Sequence, residues 1–150
     1  MNYSAVFVTL AVGLGFTIFA HGRPAAGAQS YVPRLGDIME MTQLRHFKLW
    51  YAGKAKNWRL ANYELEQIKE SFHDAMIFYP GLPVADMTTM AKPAAQIDAA
   101  IKSRDSAKFA GAFGELTTAC NSCHQSQGYG FIVVKVPTAS PFSNELFAPR

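Results

Sequence analysis

Two thiols and an imidazole lie close together near the end of the chain, in the run Cys120-Asn121-Ser122-Cys123-His124. Cysteines three residues apart on a helix project from the same face, so both sulfurs can reach one macrocycle. Each thiol can add to one vinyl group of haem, which places the next residue, His124, beneath the iron. The run therefore predicts one covalent haem c, with Cys120 and Cys123 as thioether sites and His124 as the proximal iron ligand.

Three other uses of a cysteine pair fit the sequence less well. A redox-active pair usually begins a helix that follows a strand, whereas this pair closes a predicted helix in a helical chain. A zinc site needs more ligands than one cysteine pair and an adjacent histidine provide. A disulfide across three helical residues is strained and closes almost no loop.

An uncharged apolar run occupies residues 5–20, and a short polar stretch ending in Ala26-Gly27-Ala28 follows it. This order is typical of a secretory signal, so we predict a signal peptide over residues 1–28 and a periplasmic mature protein. The first residues lack Lys and Arg, which leaves an uncleaved membrane anchor as the alternative. The run is nevertheless shorter than the roughly 18–20 residues that span a bilayer.

Composition excludes several classes of function. The chain has a formal charge of +3, and removal of residues 1–28 would take away Arg23 and no acidic residue, which leaves +2. Basic and acidic residues are interleaved, and no Lys/Arg cluster indicates a nucleic-acid partner. The sequence shows neither a nucleophile–base pair nor a second metal site, so we do not predict an enzyme.

Helical periodicity divides the rest of the chain into segments. The first covers residues 33–52 and is expected to end at Gly53. Asn57 is the predicted N-cap of the second, which ends before Pro80. The third, over residues 84–103, is weaker and rich in Ala and Met.

A proline and an N-cap residue mark helix boundaries in the last part of this helical region. Pro93 is expected to kink the third helix or restart it, with Lys92 as the boundary, and Asp105 is the predicted N-cap of the last helix. The expected buried stripe of that helix is Phe109, Ala112, Phe113, Leu116, Ala119, Cys120 and Cys123. Short connections predict an all-α fold, an antiparallel four-helix bundle over residues 29–130. We expect residues 131–150 to form an extended tail laid over that bundle.

These features together resemble the cytochrome c prime family, including its Met-ligated low-spin relatives. The matching features are four helices, the Cys-x-x-Cys-His run on the last helix and the Lys92-Pro93 step in the third, and the resemblance covers residues 34 to about 127. It implies one haem at one end of the bundle, electron transfer or gas binding, and often a homodimer. The tail after Gln127 departs from the family, whose chains typically stop soon after the haem run.

The other face of the iron depends on the first helix. In the Met-ligated relatives the distal ligand follows an apolar residue near the start of helix one, and Ile38-Met39 resembles that step. Met39 is therefore the expected distal ligand, with a role as core filling as the alternative. His46 is the rival on the same face, about 10.5 Å further along the axis, so both cannot bind one iron. Arg34 and Arg45 could pair with the haem propionates.

The sequence accordingly predicts a periplasmic monohaem c-type cytochrome that exchanges electrons with a redox partner protein. It would meet a membrane only if the leader were uncleaved. An empty distal side would instead indicate a five-coordinate haem protein that binds nitric oxide or carbon monoxide. The long apolar tail leaves a third interpretation, a subunit of a larger redox complex.

Overall fold

The structure is a computed structural model that describes residues 31–82 and 89–149. This part of the chain contains four α-helices and no strand, which confirms the all-α prediction. The helices are α1 (Leu35–Lys54), α2 (Trp58–Phe78), α3 (Ala91–Ser103) and α4 (Ser106–Ser126). The predicted signal peptide, residues 1–28, and residues 84–88 of the third predicted helix lie outside the described residues. None of the helices in the described ranges is long and apolar enough to cross a membrane.

Two helices begin at the N-caps that the sequence predicts. The Asn57 side-chain oxygen accepts the Leu60 N–H at 3.2 Å. The Asp105 carboxylate accepts the N–H groups of Ala107 and Lys108, both at 3.0 Å. These bonds satisfy first-turn N–H groups that have no partner inside the helix.

The position at which α3 begins decides whether Pro93 kinks the third helix or restarts it. This helix begins at Ala91, so Pro93 lies in its first turn. A proline there costs no helical hydrogen bond, because first-turn N–H groups have no acceptor within the helix. The described helix thus agrees with a restart close to this position, but Lys92 lies inside α3, so its prediction as the boundary was wrong.

The core is built from one apolar face of each helix. From α4, Phe109, Phe113 and Leu116 are almost completely buried, as the predicted stripe requires. The core also contains Leu49 and Ala52 of α1, Ala61, Leu65 and Ile68 of α2, and Ile97, Ala100 and Ile101 of α3. Helix α1 packs against α2 and α4, and α3 packs against the same two helices.

Gly53 has a different role from the predicted one. The expectation that it ends the first helix was wrong, since α1 continues to Lys54. A Cβ built on Gly53 would lie 2.1 Å from the Phe109 Cε1 atom. The glycine therefore allows the Phe109 ring to lie directly against the backbone of α1.

Residues 127–149 form no helix or strand, and several of their side chains contact α1. The Lys48 ammonium and the Glu145 carboxylate form an ion pair at 2.8 Å. The rings of Tyr51 and Phe147 pack with their centroids 5.6 Å apart. A polar contact and an aromatic contact thus hold the C-terminal residues against one helix.

Replacement of Gly53 by Ala should destabilise the protein. The new methyl group overlaps the buried Phe109 ring, which would have to shift inside the core, so the free energy of unfolding should fall by about 1–3 kcal/mol. Gly111→Ala is the matched control, because Gly111 lies inside α4 with no atom within 4 Å of a built Cβ. That control should gain about 0.5–1 kcal/mol. Urea unfolding measures both, and equal effects at the two positions would contradict the contact.

Candidate functional site

A cavity of about 380 Å³ is lined by α1, the last turns of α4 and the segment after α4. Its lining is mostly apolar, and its size falls within the roughly 300–1,000 Å³ that is common for cofactor pockets. Helix α1 contributes Leu35, Gly36, Met39, Glu40, Thr42, Gln43 and His46. The other lining residues are Phe72, Met90, Cys120, Cys123, His124, Tyr129, Ile132 and Val134.

The cavity brings together five of the seven residues that the sequence selects. Cys120, Cys123 and His124 come from α4, and Met39 and His46 come from α1. The α1 pair and the α4 group are more than seventy positions apart in the sequence. They line the same cavity because α1 packs against α4.

The packing of α4 directs both cysteines toward this cavity. Phe113 and Leu116 are fully buried, and Cys120 and Cys123 continue the same stripe at helical spacing. The two cysteines are half-buried and pack against the core. The i, i+3 spacing thus places both sulfurs on one face, as the sequence predicts.

The environment of Cys120 suits a protonated thiol. Burial, followed by the proximity of Cys123, raises the pKa of Cys120 to about 12. Redox-active thiols have lowered pKa values, because the thiolate is the attacking species. The raised pKa of Cys120 thus gives no support to a thioredoxin-like use of this pair.

One ring nitrogen of His124 is held by the backbone. Its Nδ1 atom lies 2.8 Å from the carbonyl oxygen of Ile132. A carbonyl oxygen only accepts hydrogen bonds, so Nδ1 carries a proton and donates it. In the neutral ring this leaves the lone pair on Nε2, which is the arrangement that metal-binding histidines usually have.

His46 is buried and is held by α4. Its Nε2 atom lies 2.9 Å from the Thr117 hydroxyl oxygen, and that hydroxyl donates to the carbonyl oxygen of Phe113 at 2.9 Å. The Thr117 oxygen therefore accepts from His46, so Nε2 carries the proton. Burial lowers the pKa of His46 to about 4, which keeps the ring neutral at pH 7.

The second ring nitrogen of His46 is an unsatisfied acceptor. Its Nδ1 atom is buried and has no hydrogen-bond partner among the described residues. A buried acceptor left in this state costs about 1–3 kcal/mol. Because the His46 ring lines the cavity, a bound group or water there could remove that cost.

Met39 is half-buried on the same wall of the cavity. It packs with Leu35 and Phe72 in a small apolar cluster around Ile38. This position is compatible with a ligand and with simple packing, so the distal-ligand prediction stays a prediction.

Arg34 and Arg45 do not line the cavity. Arg34 is exposed and forms a two-pronged pair with Asp37 at 2.8 and 2.9 Å. Arg45 pairs with Glu64 at 3.1 Å, and Glu64 is almost completely buried. A propionate would have to share or displace these carboxylates, so the propionate prediction remains untested.

The residues of the cavity fit haem in three respects: two sulfurs on one helical face, an adjacent imidazole with a fixed tautomer, and a largely apolar lining. Within the described ranges, no three His, Cys, Asp or Glu side chains form a multi-ligand metal site. No protein-family model matches the chain, and no curated protein or solved structure is significantly similar to it. The resemblance to the cytochrome c prime family therefore stays a prediction.

The Thr117 and Ile132 contacts could not be read from the sequence. Thr117 is one of several hydroxyl residues in α4, and nothing in its neighbours points to His46, which is 71 positions away. Ile132 acts through its carbonyl oxygen, which every residue has. Neither contact leaves a signal in the residue types.

The neutral state of His46 should make stability depend on pH. The unfolded ring takes up a proton near pH 6.5, whereas the buried ring does so only near pH 4. The folded state therefore loses stability as the pH falls from 6.5 to 4, by about 3 kcal/mol in all.

Urea unfolding at pH 7 and pH 4.5 measures this effect in the wild type and in His46→Gln. The substitution should flatten the pH dependence. His73→Gln is the control, because His73 is exposed on α2 and should leave the dependence as it is. An equally steep loss in wild type and His46→Gln would contradict a buried neutral ring.

Proposed function

We propose that this chain is an exported, periplasmic monohaem c-type cytochrome that acts in electron transfer. The observation that carries the proposal is the meeting of Cys120, Cys123, His124 and Met39 on one cavity. The proposal includes an antiparallel four-helix bundle over residues 29–130. The short links between α1 and α2 and between α3 and α4 support it, since such links favour antiparallel neighbours.

Haem held in this cavity would supply the one-electron chemistry of its iron. Cys120 and Cys123 are the proposed covalent attachment points, and His124 is the proposed proximal ligand through Nε2. The lining is largely apolar, and a redox centre in apolar surroundings needs less solvent reorganisation when an electron moves.

Met39 is the preferred distal ligand over His46. The Nε2 atom of His46 is engaged with Thr117, so ligation through that atom would break a buried hydrogen bond. A thioether accepts hydrogen bonds only weakly, so ligation through Met39 gives up little. His46 remains the alternative through Nδ1, which has no partner among the described residues.

Export and a redox partner belong to the same proposal. The predicted signal peptide supports export, with the mature chain beginning near Gln29.

Phe131 and Val133 are strongly exposed apolar residues that flank Ile132 at the cavity. Exposed apolar groups at a site are typical of protein contacts, which supports docking of a redox partner protein there. A homodimer is a further expectation that only the family resemblance supports.

Replacement of Met39 by Ala tests the distal ligand. If Met39 binds the iron, the optical spectrum of the oxidised and reduced protein should change from low-spin to high-spin. Met41→Ala is the matched control, because Met41 is exposed on the same helix and does not line the cavity. An unchanged spectrum in Met39→Ala would remove Met39 from the iron.

Gas binding is the second candidate function, and the distal wall supplies the observation that favours it. Gly36 lines the cavity and is exposed, and a Cβ built on it meets no atom within 4 Å, so there is open space at this solvent-facing edge of the cavity. If neither Met39 nor His46 binds the iron, that space would admit nitric oxide or carbon monoxide.

Addition of carbon monoxide to the reduced protein separates the two functions. An electron carrier with Met39 as ligand should bind carbon monoxide slowly or not at all, because the ligand must leave first. Rapid, tight binding in the wild type would favour the gas-binding function. In a gas-binding protein, Met39→Ala should bind carbon monoxide much as the wild type does. In an electron carrier, Met39→Ala should bind carbon monoxide rapidly where the wild type does not.

A further inference from the structure

We infer that Asn121 is a positioning residue for the haem site, which holds the segment after α4 so that this segment can hold the ring of His124. The inference rests on the proposed function. It gives a role to one of the two residues between the cysteines, where haem attachment itself requires no particular side chain.

Asn121 binds both polar backbone groups of one residue. Its Nδ2 atom donates to the carbonyl oxygen of Val134 at 2.9 Å, and its Oδ1 atom accepts the Val134 N–H at 2.8 Å. Two short bonds from one planar amide fix the orientation of the bound backbone as well as its position. Asn121 and Val134 are both half-buried, so water competes with these bonds less than it would at the surface.

The chain turns back on itself between the two ends of this contact. Gly128 has a φ of +79°, the Tyr129 N–H donates to the His124 carbonyl at 2.7 Å, and the Ile132 N–H donates to the Tyr129 carbonyl at 2.8 Å. The segment then runs back along the last turn of α4. Ile132 is hydrogen-bonded to His124, and Val134 is hydrogen-bonded to Asn121.

The Asn121 contact lies next to the bond that orients the proximal ligand. Ile132 is two residues from Val134, and its carbonyl oxygen accepts the Nδ1–H of His124 at 2.8 Å. A carbonyl acceptor on Nδ1 makes the imidazole a stronger donor through Nε2, which stabilises the oxidised iron more than the reduced iron. Asn121 thereby influences the iron through the backbone, without contact to it.

Ser122 is the matched control for Asn121. It is the other residue between the cysteines, it is exposed, and its hydroxyl donates to the Thr118 carbonyl of its own helix at 3.0 Å. Removal of that hydroxyl leaves the segment after α4 untouched. Ala substitutions at the two positions therefore differ mainly in the contact under test.

The experiment compares the exported, haem-loaded protein carrying Asn121→Ala or Ser122→Ala with the wild type. Hydrogen exchange at the Val134 amide should be about tenfold faster in Asn121→Ala, as expected for the loss of a hydrogen bond worth about 1.4 kcal/mol. The reduction potential should shift upward in the same variant. Both quantities should stay at the wild-type value in Ser122→Ala.

A second variant, Val134→Pro, removes the N–H that Asn121 accepts and leaves α4 unchanged. The bond from the Asn121 Nδ2–H to the Val134 carbonyl can remain in this variant. Val134→Pro should therefore raise the potential by no more than Asn121→Ala does, and Asn121→Ala should add less in that background than it does alone, because the two changes share one bond. Val134→Pro also carries the test if Asn121→Ala fails to accumulate. Fully additive shifts would contradict the inference.

The two proposals fail in different ways. A purified wild-type chain without haem overturns the proposed function. In a chain that holds haem, an unprotected Val134 amide overturns the role of Asn121. A potential that moves as far in Ser122→Ala as in Asn121→Ala does the same, and leaves the cytochrome proposal standing.

Discussion

The burial of one face of α4 is the constraint on which the rest of the structure depends. Phe109, Phe113 and Leu116 are almost fully buried on that face, and each contributes about 1.5–3 kcal/mol by leaving water. Rotation of the helix would expose all of them, so its orientation is fixed. The helical repeat carries that orientation on to Cys120 and Cys123, which is why both sulfurs face the cavity. Gly53 belongs to the same constraint, because it lets Phe109 approach the backbone of α1.

Burial keeps two titratable side chains in the cavity wall neutral. His46 is uncharged because burial lowers its pKa, and the Cys120 thiol is protonated because burial raises its pKa. The buried charge of Glu64 is paired with Arg45, and neither residue lines the cavity. Two neutral side chains thus contribute to a lining that is largely apolar.

The features that the sequence predicts correctly are those with local signals. Asn57 and Asp105 cap helices because their side chains reach N–H groups two or three residues away, and residue type alone reveals this. The cysteines and His124 share one helical turn, so their spacing also predicts that they line one cavity, whereas their use in binding haem stays a prediction. The role of Gly53 was missed because Phe109, 56 positions later, decides it. The bond from Asn121 to Val134 was missed because it ends on backbone atoms.

The intact mass of the denatured, purified protein tests the central claim most directly. A chain with haem bound through Cys120 and Cys123 should keep it in denaturant, so its mass should exceed that of the polypeptide by one haem. Substitution of either cysteine by Ser should weaken that attachment, and substitution of both should abolish it. A wild-type mass equal to that of the bare polypeptide would contradict the account.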